Sequence, residues 1–244
     1  MANPPELVWL DNLTPKSTLF NDTYYSRDSG LEETRYVFIN GNNLTERWQE
    51  AKDPVIGELG FGTGLNFLAT WQAWQNTVAF AEKDSAPKVE VERSLTFISF
   101  EKYPMAKDNL FKALSPWPEL SNERDLLLQV WSPDASGWQT HHFGNVTLEL
   151  FIGEAADGLE TIPDLVDAWY LDGFNPKTNP DLWSLNLLRA VSEKSNSQAT
   201  LASYTAAGWV RRNLNSAGFS IAKRKGFGHK RDMITGELVS HPLR

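Results

Sequence analysis

The chain has 244 residues, no cysteine and a formal net charge of −8. Its length fits one α/β domain with appendages, and 41% hydrophobic residues can build a sizeable core. Disulfides and thiolate metal sites are excluded, indiscriminate binding of nucleic acid over the whole surface is disfavoured, and no apolar run of roughly eighteen residues could span a membrane.

Residues 1–50 form a polar lead-in without the basic start and apolar stretch of a secretory leader. They are expected to stay as an N-terminal cap on a core of residues 51–244, within a single domain. The absence of cysteine fits a reducing compartment, so a cytoplasmic protein is expected. Tyr36, Val37, Phe38 and Ile39 predict a strand, and Asn40-Gly41-Asn42-Asn43 predicts the turn of a hairpin. A short apolar strand then runs to Glu58, and Gly60, Gly62 and Gly64 fall on alternate positions. The helix after them carries Phe67, Leu68, Trp71 and Trp74 on one face. Strand, Gly-rich turn and helix open the ligand site of a doubly wound α/β sheet. The dinucleotide register G-x-G-x-x-G fails, because Leu65 and Phe67 stand where its third glycine would be.

A charged stretch over 82–93 predicts an exposed loop. Leu95 to Glu101 reads as a buried parallel strand ending in an acid that can accept both hydrogen bonds of a ribose diol. Residues 106–131 read as a helix, a Pro-Trp-Pro loop and an apolar segment from Leu126. An irregular stretch follows, with His141 and His142 side by side. Neighbouring histidines without a third ligand point away from a metal site. Val146 to Ile152 is the next strand, followed by Gly153-Glu154-Ala155. Another strand ends at Asp172 and leads into Gly173-Phe174-Asn175-Pro176-Lys177. Asn179-Pro180-Asp181 predicts a helix start, with an apolar stripe at Leu182, Leu185 and Leu188. A strand over 200–204, a helix over 205–215 stopping at Gly218, and a closing antiparallel pair complete the chain.

Glu58, Glu101, Glu154 and Asp172 thus end or follow successive strands, whose ends line one crevice in an open parallel sheet. The tail adds Arg211, Arg212, Lys223, Arg224, Lys225, Lys230 and Arg231 without an intervening acid, which points to a polyanion held at one edge. Phe227, between two glycines, is placed to stack or insert.

Glu58-x-Gly60-x-Gly62-x-Gly64 resembles the first motif of class I S-adenosylmethionine-dependent methyltransferases. Together with the stretches 30–38, 171–183 and 223–233, it makes nearly the whole chain resemble the methyltransferase domain of the MnmC family, which finishes the modified wobble uridine of certain tRNAs. The resemblance implies a Rossmann-like, mostly parallel sheet with an antiparallel C-terminal strand, an N-terminal cap and insertions. It implies N-methylation of 5-aminomethyl-(2-thio)uridine in tRNA, with S-adenosylmethionine as cofactor. The cofactor site would comprise Glu58, Gly60, Phe61, Gly62, Thr63, Gly64, Asn66, Glu101, Lys102, Glu154, Ala155 and Asp172. Glu58 would lie near the aminoacyl group and Glu154 near the adenine amino group. Asp172 would face the substrate amine and be the catalytic residue, with Phe174, Asn175, Pro176, Lys223, Arg224, Lys225, Phe227, Lys230 and Arg231 on the substrate side.

The family loop usually has alanine where Asn175 stands. Many members carry a fused FAD-dependent oxidase. No G-x-G-x-x-G unit for FAD follows here, so a stand-alone transferase or an excised half, with a fused or separate oxidase as partner, is expected. A small-molecule amine methyltransferase, an aminopropyl transferase and a tRNA-binding module without turnover are the competing readings.

Overall fold

The computed structural model describes residues 4–27, 29–83 and 93–240, so most of the charged stretch expected as a loop lies outside the described residues. Its frame is an eight-stranded sheet. The parallel strands are β4 (Val55–Leu59), β5 (Leu95–Glu101), β7 (Val146–Ile152), β8 (Val166–Leu171) and β9 (Ser195–Ser203). Strands β10 (Phe219–Lys225) and β11 (Asp232–Leu238) close one edge antiparallel, and β6 (Gly137–Phe143) closes the other. The order is β10-β11-β9-β8-β4-β5-β7-β6. From β4 the chain steps out to β5, crosses to the edge strand β6, comes back through β7, and then returns to β8 on the other side of β4. Strands β4 and β8 therefore flank the switch point where open α/β sheets bind ligands.

β4 and β8 are buried along nearly their whole length because helices cover both faces of the sheet. One face packs α1 (Gly30–Thr34), α3 (Leu65–Lys83), α4 (Lys107–Leu114) and α5 (Ser121–Val130) around Phe67, Phe97 and Tyr170. The other packs α6 (Ala155–Glu160), α7 (Leu185–Glu193) and α8 (Gly208–Ser216) around Trp169, Leu188 and Leu201. Phe67, Leu68, Trp71 and Trp74 are all buried, as the face of α3 predicts. A separate three-stranded sheet, β1 (Leu7–Leu10), β2 (Thr14–Ser17) and β3 (Asp22–Thr23), forms the N-terminal cap. No helix among the described residues is long and apolar enough to cross a membrane.

Four expectations are corrected. Residues 36–39 are not a strand: Arg35–Ile39 is a π-helical turn continuing α1, whose first turn is capped by the Ser29 hydroxyl. Val37, Phe38 and Ile39 are all buried, and Phe38 stacks on Tyr170 with centroids 4.9 Å apart. The pull of β-branched and aromatic residues toward strands yields to that packing. Asn40 to Asn43 accordingly turn into α2 (Leu44–Arg47) rather than close a hairpin. The stretch around His141 and His142 is strand β6, held by a full antiparallel register with β7. Finally, Asn179-Pro180-Asp181 leads only into a 3-10 turn at Asp181–Trp183, and α7 begins after Ser184, whose hydroxyl caps Leu187 N–H.

Candidate active site

At the end of β4 the Gly60 and Phe61 N–H groups both donate to Phe100 O of the neighbouring strand, at 3.1 and 3.0 Å. The chain then turns through Gly60, Gly62 and Gly64, all at positive φ. A Cβ on Gly60, at φ +95, would lie 2.7 Å from Asp172 O, so this turn and the end of β8 fit only because Gly60 has none. On Gly62 a Cβ would meet the Tyr24 ring of the cap at 3.3 Å. Bare backbone thus faces the crevice between sheet and cap.

The acids form two linked layers. Glu58 is completely buried; its Oε2 accepts from Ser99 Oγ at 2.6 Å and its Oε1 from Asn66 Nδ2 at 2.9 Å. Burial pushes its carboxyl well above the usual range, against the pull of those two hydrogen bonds. The same Asn66 amide donates to Asp172 Oδ2 at 2.6 Å, and its oxygen accepts from Thr34 Oγ1 at 2.7 Å. Thr34 thereby fixes which way the amide points. Asp172, just past β8, is pushed up to about 7, first by burial and then by the nearby carboxylates of Glu33 and Asp22. Asn66 and the Lys230 ammonium act in the opposite direction. Glu101 accepts from the N–H groups of Gly62 and Tyr103, both at 2.7 Å, and burial still raises its carboxyl. Glu154 opens α6 and pairs with Lys102.

Thr34, Asn66, Glu101, Lys102, Glu154 and Asp172 line a cavity of about 1150 Å³ between the strand ends and the cap. Pockets for small ligands reach roughly 1,000 Å³, so this one has room for a nucleoside-sized cofactor and part of an acceptor. Phe174 stacks on Phe20 with centroids 4.7 Å apart and meets Tyr24 edge-on at 5.0 Å. Asp22 Oδ2 accepts from Asn175 N–H at 2.9 Å, tying cap to loop. Tyr204 donates its hydroxyl to Gly173 O at 2.7 Å and stays protonated, because burial and then the Asp172, Asp22 and Glu33 carboxylates raise it.

Of the residues expected from sequence, Gly60, Phe61, Gly62, Thr63, Asn66, Glu101, Lys102, Glu154, Ala155, Asp172, Phe174, Asn175 and Lys230 line the cavity. Glu58 lies beneath it and reaches it only through Asn66. Gly64 and Pro176 do not line it; a Cβ on Gly64 would strike the Phe61 ring at 2.9 Å. Lys223, Arg224 and Lys225 lie exposed on β10, where Lys223 pairs with Asp232 at 2.6 Å. Arg231 is exposed beside the same carboxylate. Phe227 is half-buried against Tyr36, centroids 5.9 Å apart, rather than free to insert. The residues that sequence reasoning missed are Phe20, Asp22, Tyr24, Glu33 and Tyr204, all on the cavity wall. For Phe20, Asp22, Tyr24 and Glu33 the signal was the cap expected to bring residues to the site; Tyr204, at the end of β9, had none.

The donor set suits S-adenosylmethionine on its own terms. Glycines without side chains admit close contact, Glu101 offers a carboxylate for hydroxyls, and the walls mix aromatic and acidic groups. Residues 118–239, half of the chain, match the profile of a family described as S-adenosyl-L-methionine-dependent methyltransferase. The tRNA 5-methylaminomethyl-2-thiouridine biosynthesis bifunctional protein MnmC of Vibrio campbellii is 45% identical over 96% of this chain and 35% of its own length. The protein of that name from Aliivibrio fischeri is also 45% identical, over 98% of this chain and 35% of its own. The chain spans about a third of the length of these curated relatives. The crystal structure of MNMC2 from Aquifex aeolicus superposes with a TM-score of 0.73, covering 99% of this chain and 73% of that one at 21% identity, a likeness of fold.

Proposed function

This chain belongs to the S-adenosyl-L-methionine-dependent methyltransferase family, and from that premise we propose that it methylates the primary amine of 5-aminomethyl-(2-thio)uridine at the wobble position of tRNA. One observation carries the choice of an amine: Asp172, with a carboxyl near 7, sits at the switch point in a cavity that also holds Glu33 and Asp22. An acidic wall attracts an alkylammonium, and the burial that raises the Asp172 carboxyl to about 7 lets that group take its proton. The names of the curated relatives support the uridine, and the basic residues on β10 support a polyanionic carrier.

Each part of the site has a role. Gly60, Phe61, Gly62, Thr63, Glu101, Lys102, Glu154 and Ala155 would hold S-adenosylmethionine, which when bound supplies an electrophilic methyl group on a sulfonium. Asn66 belongs to both halves, since it joins Glu58 to Asp172. Asn66 takes one oxygen of Asp172, which leaves the other to accept a hydrogen bond from the acceptor amine and aim its lone pair. The proton released by nitrogen passes to Asp172, whose raised pKa suits a base near neutral pH. Phe174, set by Phe20 and Tyr24, gives a flat base an apolar face and keeps water out.

The bifunctional relatives extend well beyond this chain, which supports an amine-generating activity, a FAD-dependent oxidase by the family resemblance, as a fused or separate partner. Work on tRNA would place the protein in the cytoplasm. The test is label transfer from S-adenosylmethionine to tRNA bearing the aminomethyl uridine, beside tRNA lacking it, free polyamines and small amines. Label on the first tRNA alone supports the proposal; label on polyamines or small amines alone rejects the tRNA.

A further inference from the structure

Lys230, a cation on the cavity wall, has no part in the roles above. Lys230 lies between β10 and β11, and its Nζ is 2.5 Å from Glu33 Oε1 and 4.7 Å from the centroid of the Tyr204 ring. A carboxylate on one side and an aromatic face on another are what recognise a primary ammonium. The Glu33 side chain is only 10% exposed, whereas that of Lys230 is 44% exposed on an unbranched stem. The backbone around that stem is seated independently: Tyr36 Oη donates to Lys225 O at 3.0 Å, and Lys230 N–H donates to Phe227 O at 3.0 Å. The side chain can therefore leave without unseating its loop.

We propose that Glu33 and the Tyr204 face form a subsite for the acceptor's alkylammonium, and that Lys230 fills this subsite until an acceptor displaces it. The proposal rests on the amine-acceptor reading above and deepens it. Glu33 is nearly buried, and leaving it without a counter-charge would be costly. Exchange of one ammonium for another keeps it paired. The departing Lys230 turns to solvent, and the incoming group then lies among Glu33, Asp22 and Asp172, all on the same cavity wall. A proton moves from the bound ammonium nitrogen to the Asp172 carboxylate and leaves a neutral amine; no other bond changes in that step.

The test is calorimetric binding of 5-aminomethyluridine nucleoside to the full chain loaded with S-adenosylhomocysteine, with 5-methyluridine as uncharged control. Lys230→Met is expected to tighten aminomethyluridine about tenfold, the scale of one charge-assisted hydrogen bond, and to leave 5-methyluridine unchanged. Lys230→Arg should keep the affinity of the wild type, and Glu33→Gln should weaken it about tenfold. S-adenosylhomocysteine binding reports folding in every variant. If Glu33→Gln fails that check, Lys230→Met decides. Unchanged or weaker binding of aminomethyluridine by a folded Lys230→Met variant overturns the subsite. Methyl transfer to tRNA by the wild type is followed in parallel. Transfer without the affinity changes removes the subsite and keeps the amine reading, and the affinity changes without transfer do the reverse for tRNA.

Discussion

Asn66 makes three hydrogen bonds at once, to Glu58, Asp172 and Thr34, and each constrains the others. Replacing it with alanine strips a donor from two acids together. Asn66→Ala should cost about 1–3 kcal/mol of stability, read by denaturant titration. It should also move the acid limb of the kcat profile to higher pH, because Asn66 lowers the Asp172 pKa. Asp172 itself is active as a carboxylate, so activity should be lost as pH falls through about 7. Asp172→Asn should lower kcat by about 10²–10⁴ and erase that limb, while S-adenosylmethionine still binds. The sign for stability is opposite. The folded pKa is raised from 3.8, so the stability Asp172 contributes is full below that value and is lost as pH rises through about 7. Melting temperatures of Asp172→Asn and wild type should therefore diverge in favour of the variant between roughly pH 4 and pH 7.

At the scale of elements, the glycine turn joins β4 to β8 by a contact no other residue allows. Gly60→Ala forces a side chain into φ +95 and against Asp172 O. It should destabilise the protein by about 1–3 kcal/mol and weaken S-adenosylmethionine binding, measured by calorimetry. This turn was legible in sequence because its signal is local: a strand, three glycines at fixed spacing and an amphipathic helix. Glu101 and Asp172 were legible for the same reason, each at the end of its own strand. The cap wall was not. Phe20, Asp22, Glu33 and Tyr204 meet from the turn before β3, β3 itself, α1 and the end of β9, and nothing in the spacing of the chain announces that they converge there on Lys230, which the basic tail had marked. Residues 36–39 misled for a related reason. Strand-like residues fold as a π turn where Phe38 finds Tyr170, a partner far along the chain.

The whole molecule is acidic, yet its tail concentrates basic residues on β10 and its loop, beyond the cavity wall that Lys230 lines. A chain at −8 that binds tRNA must do so through such a local surface, with the rest repelling it. Arg224→Glu combined with Arg231→Glu should raise KM for tRNA and lower the salt dependence of binding by about one to two phosphate contacts, with KM for S-adenosylmethionine unchanged. Salt titration of tRNA affinity measures both.

The most direct measurement is transfer of a labelled methyl group to tRNA bearing 5-aminomethyluridine, followed by digestion to nucleosides, for wild type and Asp172→Asn. Label in the methylaminomethyl nucleoside with the wild type, and its near-complete loss in a variant that still binds S-adenosylmethionine, is the predicted result. Equal label with the variant, or label at another nucleoside, would contradict an amine held by Asp172.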